Sequence, residues 1–285
     1  MTAVIDIGSN SVRLMMTSGN SKQKFLITTR LAEGRVDGAL SQASMDRTAN
    51  AVAVLFDKAI KCGATKFYAF ATAAVRNSVN GELFTDMVKQ KTGLSVDVVS
   101  GSCEAELALL GALKGSNGAV IDIGGASTEI AVKECGQTVY DVSYPFGAVS
   151  INSLFGRNEE NISKFLACEL KGVRRRFGVD FYGVGGTITT LSMINLNLSE
   201  YDPVKLEERP LTIEDLLKIK DKLYSLSVED IKTIYPIASS RADIICGGAE
   251  TLYSIMTAYG IDKIYPSDGD NLEGYLEYIN GKEQI

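Results

Sequence analysis

Two copies of one short pattern carry the side chains best placed for chemistry. Residues 4–11 read VIDIGSNS and residues 120–127 read VIDIGGAS, with six of eight positions identical. In each copy an aspartate ends an apolar run before a glycine turn, where its carboxylate could hold a metal ion or a metal-bound water. The glycine permits close backbone approach, and successive N–H groups with nearby hydroxyls can cradle a phosphate. The duplicated D-x-G-x-x-S turn therefore predicts phosphate chemistry, whereas a single copy would fit a plain hairpin equally well.

A third glycine-rich turn offers a further anion site. Residues 183–190 read GVGGTITT, between a predicted strand and a predicted helix. Backbone N–H groups at a helix N-terminus bind anions. We therefore predict phosphate contacts from Gly185, Gly186 and Thr187, with a simple strand-to-helix turn as the alternative.

The composition limits which groups could act as acid or base. The chain has 285 residues, 29 basic and 35 acidic side chains, a net charge of −6 and no histidine. Ser-His-Asp catalysis, His-ligated metals and imidazole proton transfer are therefore excluded. The five cysteines form no C-x-x-C pair, which argues against a zinc cage or a disulfide framework. Carboxylates remain as acids and bases, and oxygen ligands favour Mg²⁺, Mn²⁺ or Ca²⁺.

Two glutamates are the candidates for this role. Glu104 follows Ser102, which we predict to cap a helix, so Glu104 falls in the first helical turn where the dipole favours its ionised form. Glu129 lies seven residues after Asp122 on the second strand of the hairpin. The alternative for Glu104 is that it only stabilises the first turn of the helix. The alternative for Glu129 is that its side chain faces solvent.

Three arginines are candidate phosphate ligands. Arg13 follows the first turn, Arg76 ends the segment ATAAVR, and Arg241 lies in ASSRAD. A guanidinium group matches oxyanions through paired N–H donors. For each arginine alone, a surface salt bridge is the alternative.

The spacing of the two copies predicts how these residues are positioned. An offset of 116 residues, with each copy heading a three-stranded meander followed by helices, predicts two similar α/β domains. The segment GSNG at 115–118 is the predicted boundary. Hydrophobic periodicity predicts helices at 45–61, 82–91, 103–114, 159–177, 213–226, 238–259 and 271–279.

The remaining composition predicts the setting. The chain is 45% hydrophobic, starts on a predicted strand and has no apolar run approaching the ~18 residues needed to cross a bilayer. We therefore expect a cytoplasmic protein. Its acidic balance argues against binding nucleic acid.

Further segments occur in a characteristic order: ATAAVRNSVNG, VSGSCEAELALLGAL, SYPFGAVSI, GVGGTITTL, RADIICGGAETL and PSDGDNLEGYL. With the two turns, they resemble the exopolyphosphatase / guanosine pentaphosphate phosphohydrolase (Ppx/GppA) family of the actin-like ATPase superfamily. The resemblance implies two ribonuclease-H-like domains with mixed five-stranded sheets flanked by helices and an active site in the cleft between them. It implies domains of 1–116 plus 270–285 and of 117–269, because the last helix would return to the first domain.

The resemblance also implies roles for individual residues. Asp122 resembles the Mg²⁺ (or Mn²⁺) ligand, with Asp6 as a second candidate; Glu104 resembles the group that activates water, and Glu129 a second active-site carboxylate. The residues of the two turns that resemble phosphate ligands are Ser9, Asn10, Ser11, Arg13, Gly124, Gly125, Ser127 and Thr128.

The expected function is thus Mg²⁺-assisted release of orthophosphate from the end of inorganic polyphosphate. Guanosine pentaphosphate is the alternative substrate. Guanosine penta- or tetraphosphate is the alternative binding partner, and a homodimer is the oligomeric state considered. A non-catalytic polyphosphate or alarmone sensor is the alternative of a different class. It is favoured by the segment S-C-E-A-E, which lacks the acidic run E-E-A-R usual in the family and has Glu106 where arginine is usual, and by the lack of the long C-terminal extension of larger members.

Overall fold

The computed structural model describes residues 1–19, 21–173 and 175–282. Its contacts divide the chain into two units. The first contains Met1–Gly111 together with the chain from Asn271 onward, and the second contains Ala112–Asp270. The boundaries predicted from the sequence differ from these by a few residues.

Each unit contains three consecutive strands followed by helices and further strands. The elements up to residue 113 are β1 (Thr2–Ile7), β2 (Ser11–Ser18), β3 (Ser21–Thr28), α1 (Gln42–Lys61), β4 (Lys66–Ala71), α2 (Ala73–Arg76), α3 (Gly81–Thr92), β5 (Asp97–Val98) and α4 (Gly101–Leu113). Those that follow are β6 (Gly118–Ile123), β7 (Thr128–Glu134), β8 (Gln137–Tyr144), α5 (Ala148–Phe155), α6 (Glu159–Glu169), β9 (Phe181–Val184), α7 (Gly185–Asn195), α8 (Pro203–Glu208), β10 (Leu211–Thr212), α9 (Ile213–Tyr224), α10 (Val228–Ile234), α11 (Ile245–Tyr259), β11 (Lys263–Pro266) and α12 (Asn271–Lys282).

The first unit is a five-stranded mixed sheet with helices on both faces. Its strand order is β3-β2-β1-β4-β5, with β1 antiparallel to β2 and parallel to β4. Because side chains alternate along a strand, β1 sends Ala3, Ile5 and Ile7 into the core shared with α1 and α3. Val4 faces the opposite core, which α4 and α12 complete. Both faces of β1 are thus buried, as its continuous apolar sequence predicts.

The second unit repeats this plan with one more strand. Its order is β10-β11-β9-β6-β7-β8, in which β6, β9 and β11 are parallel. The prediction of five strands is corrected to six, because Leu211 of the two-residue β10 pairs with Ile264 of β11. The large apolar core of this unit receives side chains from α6, α7, α9 and α11.

Two predicted helices differ from the structure by more than a few residues. The helix expected over 159–177 ends at Glu169, and Gly172 beyond it has a φ of 87°, which a right-handed helix does not accommodate. The helix expected from residue 238 begins at Ile245, because Pro236–Arg241 forms a 3₁₀ helix that starts on proline.

Across the described ranges, none of the helices combines the length and the apolar character that a membrane span requires.

Helix α12 approaches α4 closely at a glycine, which gives a test of the packing. A Cβ at Gly274 would lie 1.9 Å from the carbonyl oxygen of Leu107, whereas one at Gly281 on the same helix would meet nothing within 4 Å. Gly274→Ala should lower the free energy of unfolding by about 1–3 kcal/mol or more, because the helices must separate. Gly281→Ala should be neutral or stabilising by up to about 1 kcal/mol. Guanidinium denaturation of both variants measures this, and equal stabilities would contradict the packing described.

Candidate functional site

The candidate residues of the first unit lie at one edge of its sheet. Strands β1, β4 and β5 are parallel, so their carboxyl ends point the same way. The first glycine turn follows β1, α2 follows β4, and α4 follows β5. Ligands of open α/β sheets bind outside the carboxyl ends of the strands. The three connections therefore bring the turn, Arg76 and Glu104 to the edge where a ligand is expected.

The first turn is held by backbone hydrogen bonds that engage its carbonyl groups. The amide of Gly8 donates to the Ser11 oxygen at 3.0 Å. The Asn10 oxygen accepts from Thr29 and Arg30 at 2.9 and 2.8 Å. Asn10 is 7% exposed, and its side-chain Nδ2 has no hydrogen-bond partner among the described residues. A buried amide donor of this kind suits an anionic acceptor.

Asp6 is paired with Arg13 across the hairpin. The two residues are register partners on β1 and β2. The Arg13 Nε donates to Asp6 Oδ2 at 3.0 Å, and Nη2 donates to the same oxygen. The aspartate predicted as a metal ligand thus forms an ion pair with an arginine predicted as a phosphate ligand.

Glu104 is buried in the first turn of α4. It is 4% exposed and forms an ion pair with Arg76 Nη1, which also donates to the Val99 carbonyl at 2.8 Å. The predicted cap needs a correction: α4 begins at Gly101, and the Ser100 hydroxyl, not that of Ser102, accepts from Cys103 N at 3.1 Å. A cap binds the amide three residues on, so the helix starts two residues earlier than predicted.

The neighbouring cysteine, Cys103, has a raised thiol pKa. Burial raises the pKa of the Cys103 thiol above its ordinary value, and the negative charge of Glu106 raises it further. A raised pKa lowers the fraction of thiolate, which makes Cys103 a poorer nucleophile than an ordinary cysteine.

The second turn repeats the hydrogen bond of the first. The amide of Gly124 donates to the Ser127 oxygen at 3.0 Å. The Gly124 and Gly125 carbonyls accept from the first amides of α5, namely Ala148 at 2.9 Å and Val149 at 2.8 Å. These carbonyl oxygens would repel a phosphate, but they accept hydrogen bonds from α5 of the same unit.

Asp122 and Arg241 both lie at the start of α7. A Cβ on Gly185, which has a φ of 83°, would lie 2.5 Å from Asp122 Oδ1, and one on Gly186 would lie 2.0 Å from Arg241 Nη2. Both glycines therefore admit a charged side chain against the helix N-terminus. Thr187, in the same turn, is buried with its methyl group against Gly248. The structure thus brings together four of the predicted residues, Asp122, Gly185, Gly186 and Arg241.

Glu129 is the register partner of Asp122 on β7 and is 2% exposed. Its Oε1 accepts from the Ser143 hydroxyl at 2.8 Å. Sequence reasoning misses Ser143, although the alternation of β8 places it opposite Glu129. The adjacent Thr128 donates its hydroxyl to the Phe146 carbonyl at 2.7 Å and so fastens the segment before α5.

The two copies of the turn therefore differ in charge at one equivalent position. The seventh residue after the aspartate is Arg13 in the first copy and Glu129 in the second. Directly opposed residues of an antiparallel pair have Cβ atoms about 4.5–5.5 Å apart. The first copy thus pairs Asp6 with a cation, and the second places two carboxylates side by side, which favours a bound cation.

Within the described part of the chain, the structure contains no group of three or more cysteine, aspartate or glutamate side chains arranged to hold a metal ion. Mg²⁺ commonly binds through one or two carboxylates together with water and substrate phosphates. The oxygen donors of Asp122 and Glu129 fit that mode of binding.

The model of the Ppx/GppA phosphatase family matches residues 5–281. The chain belongs to this family. The resemblance stated from the motifs is confirmed, as is the prediction that the protein is an enzyme of the phosphatase type.

Relatives and solved structures agree with this membership. Exopolyphosphatase 2 of Mycobacterium tuberculosis is 28% identical to the chain, over 98% of each. The guanosine-5′-triphosphate,3′-diphosphate pyrophosphatase of Vibrio vulnificus is 25% identical over 95% of the chain, which spans 58% of that protein. The crystal structure of the Aquifex aeolicus Ppx/GppA family member is 28% identical and superposes with a TM-score of 0.80, covering 100% of this chain and 98% of that one. The predicted α/β fold, with two mixed sheets flanked by helices, is confirmed.

The close approach of Arg241 to Gly186 gives a test of the anion site. Gly186→Ala should displace the guanidinium group and weaken binding of inorganic tripolyphosphate about tenfold or more, the value of one charged hydrogen bond. The melting temperature should change little, because the end of a flexible side chain can move aside. Gly178→Ala is the control, since a Cβ there would meet nothing within 4 Å. Calorimetric titration measures both affinities, and equal affinities would argue against a role for Arg241 in binding.

Proposed function

We propose that the protein hydrolyses the terminal phosphoanhydride bond of inorganic polyphosphate and releases orthophosphate. The observation that carries the proposal is that Asp122 and Arg241 both lie at the glycine-rich start of α7. This arrangement combines a cation-binding carboxylate, a guanidinium group and helix N-terminal amides, which are the groups that phosphoryl transfer requires. The sequence similarity to a protein named exopolyphosphatase, over 98% of both chains, supports polyphosphate as the substrate.

In this proposal the protein contributes positioning and charge rather than covalent chemistry. Arg241 and the amides of Gly185 and Gly186 hold the oxygens of the terminal phosphoryl group. A general base takes the proton of the attacking water as the water oxygen bonds to phosphorus, a role that the resemblance to the family implies for Glu104. The bridging P–O bond breaks, so the products are orthophosphate and a chain one phosphate shorter. General-base assistance of this kind contributes about 10²–10⁴-fold.

Asp122 and Glu129 are the residues that would hold Mg²⁺ or Mn²⁺. A divalent cation there would neutralise the phosphate oxygens and make the leaving oxygen a better leaving group. The Ser143 hydroxyl fixes the orientation of Glu129. Asp6 is a weaker candidate, because its charge is already offset by Arg13.

The second candidate substrate is guanosine pentaphosphate, whose 5′ end carries the same anhydride. It is supported by the similarity to the guanosine-5′-triphosphate,3′-diphosphate pyrophosphatase. Orthophosphate release from polyphosphate, guanosine pentaphosphate and ATP, each with Mg²⁺, separates the candidates by their kcat/KM. Binding of polyphosphate without release from any of the three would overturn the proposal and favour a sensor.

Glu104→Gln tests the assignment of the base. The change keeps the size of the buried side chain but removes its capacity to accept a proton, so kcat should fall by at least about 100-fold. Circular dichroism and thermal melting check that the variant is folded. Turnover like that of the unmodified protein would remove Glu104 from the mechanism.

Asp122→Asn and Asp6→Asn test the assignment of the cation site. Because a carboxylate stands opposite Asp122 and an arginine opposite Asp6, Asp122→Asn should raise the dissociation constant for Mn²⁺ by about tenfold or more. Asp6→Asn should leave that constant within about threefold and instead lower the melting temperature, because Arg13 loses its partner. Titration of Mn²⁺ followed by electron paramagnetic resonance measures binding without any turnover. The reverse order of effects would assign the cation to Asp6.

A further inference from the structure

Glu104 and Arg76 form a buried contact between two sheet connections. Glu104 has a side chain that is 5% exposed and that of Arg76 is 21% exposed. The two residues are 28 positions apart. Arg76 is the last residue of α2, which follows β4, while Glu104 lies in the first turn of α4, which follows β5. The ion pair therefore ties the two connections together at the carboxyl edge of the sheet.

The arginine also contacts the backbone that sets the start of α4. Its Nη1 donates to the Val99 carbonyl at 2.8 Å as well as to Glu104 Oε2. Val99 immediately precedes Ser100, the cap of that helix. One guanidinium nitrogen thus fixes both the segment from which Glu104 projects and the carboxylate at the end of its side chain.

Electrostatics gives this contact its importance. A carboxylate removed from water is costly unless it is paired and hydrogen-bonded, and removing one partner leaves an uncompensated buried charge. A base must also be ionised and aimed at its water in order to accept a proton. The positive charge of Arg76 favours the ionised form of Glu104, and the fixed direction of its N–H group orients the carboxylate.

We propose that Arg76 is a positioning residue that holds Glu104 ionised and correctly oriented, rather than a ligand of the substrate phosphate as its sequence context suggests. The inference rests on the proposed function, since it assigns Arg76 a part in the hydrolysis that Glu104 assists. The two roles predict different kinetics. A phosphate ligand affects binding of the substrate, whereas a positioning residue acts on turnover through Glu104.

The kinetic test compares Arg76→Ala, Glu104→Gln and the double variant with the unmodified protein, using orthophosphate release from polyphosphate. Arg76→Ala should lower kcat by at least about tenfold and change KM by less than about threefold. In the Glu104→Gln background, the same change should alter kcat by less than about threefold, because the group that it positions is already lost. Arg76→Lys, which retains the charge, should recover part of the lost turnover.

Two results would overturn the inference. One is a rise in KM with kcat unchanged, which is the behaviour of a phosphate ligand. The other is an equal loss of kcat in both backgrounds, which would mean that Arg76 acts independently of Glu104.

Thermal unfolding of the same four proteins provides a readout that does not depend on activity. Arg76→Ala should lower the melting temperature more when Glu104 is present than when glutamine replaces it, because only the glutamate leaves a buried charge unpaired. Equal decreases would overturn the inference even if every protein hydrolysed polyphosphate. Absence of phosphate release from the unmodified protein with any of the three substrates would instead refute the proposed function, and the melting comparison would still decide whether Arg76 holds Glu104.

Discussion

The constraint on which the candidate residues of each unit depend is the burial of carboxylates, Asp6 and Glu104 in the first unit and Asp122 and Glu129 in the second, each less than a tenth exposed. An ionised carboxylate placed in a protein interior requires compensating charge or hydrogen bonds. Asp6 and Glu104 each form an ion pair with an arginine. Glu129 accepts a hydrogen bond from the Ser143 hydroxyl, and Asp122 lies against Gly185, the first residue of α7. The positions of these partners decide which acid can do which chemistry.

Divergence between the two copies of the turn follows from this constraint. Both copies retain the glycine amide that donates across the turn at 3.0 Å, because that hydrogen bond closes the hairpin. They differ at Arg13 and Glu129, which occupy equivalent positions beside the aspartate. An arginine makes the first copy electrically balanced, while a glutamate gives the second the paired carboxylates that suit a divalent cation. The same backbone turn thus supports two electrostatic environments, and the residue at one equivalent position distinguishes them.

Predictions from the sequence succeed where the determining interactions are local. The duplicated turns, the strands around them and the strand-to-helix turn at Gly185 follow from short patterns whose hydrogen bonds close within a few residues. The helix predicted through residue 177 fails because Gly172 adopts a left-handed conformation that charge and periodicity do not reveal. The partner of Glu104 could not be predicted either, since Arg76 reaches it only after β4 and β5 pair in the sheet. Contacts of this kind depend on topology, which a motif does not contain.

The net charge of −6 appears unfavourable for a protein proposed to bind a polyanion. At physiological ionic strength, however, the Debye length is about 8 Å, so exposed charges farther away than this are largely screened. A phosphate at the start of α7 would therefore respond mainly to Arg241, to the helix amides and to any cation held by Asp122, rather than to the acidic surface as a whole. Overall acidity would also oppose binding to polyanions wherever such a local arrangement is missing. Affinity and selectivity for polyphosphate would thus both depend on the few groups at the turns. Glycine recurs there because a side chain at Gly185 or Gly186 would occupy the space of Asp122 or Arg241.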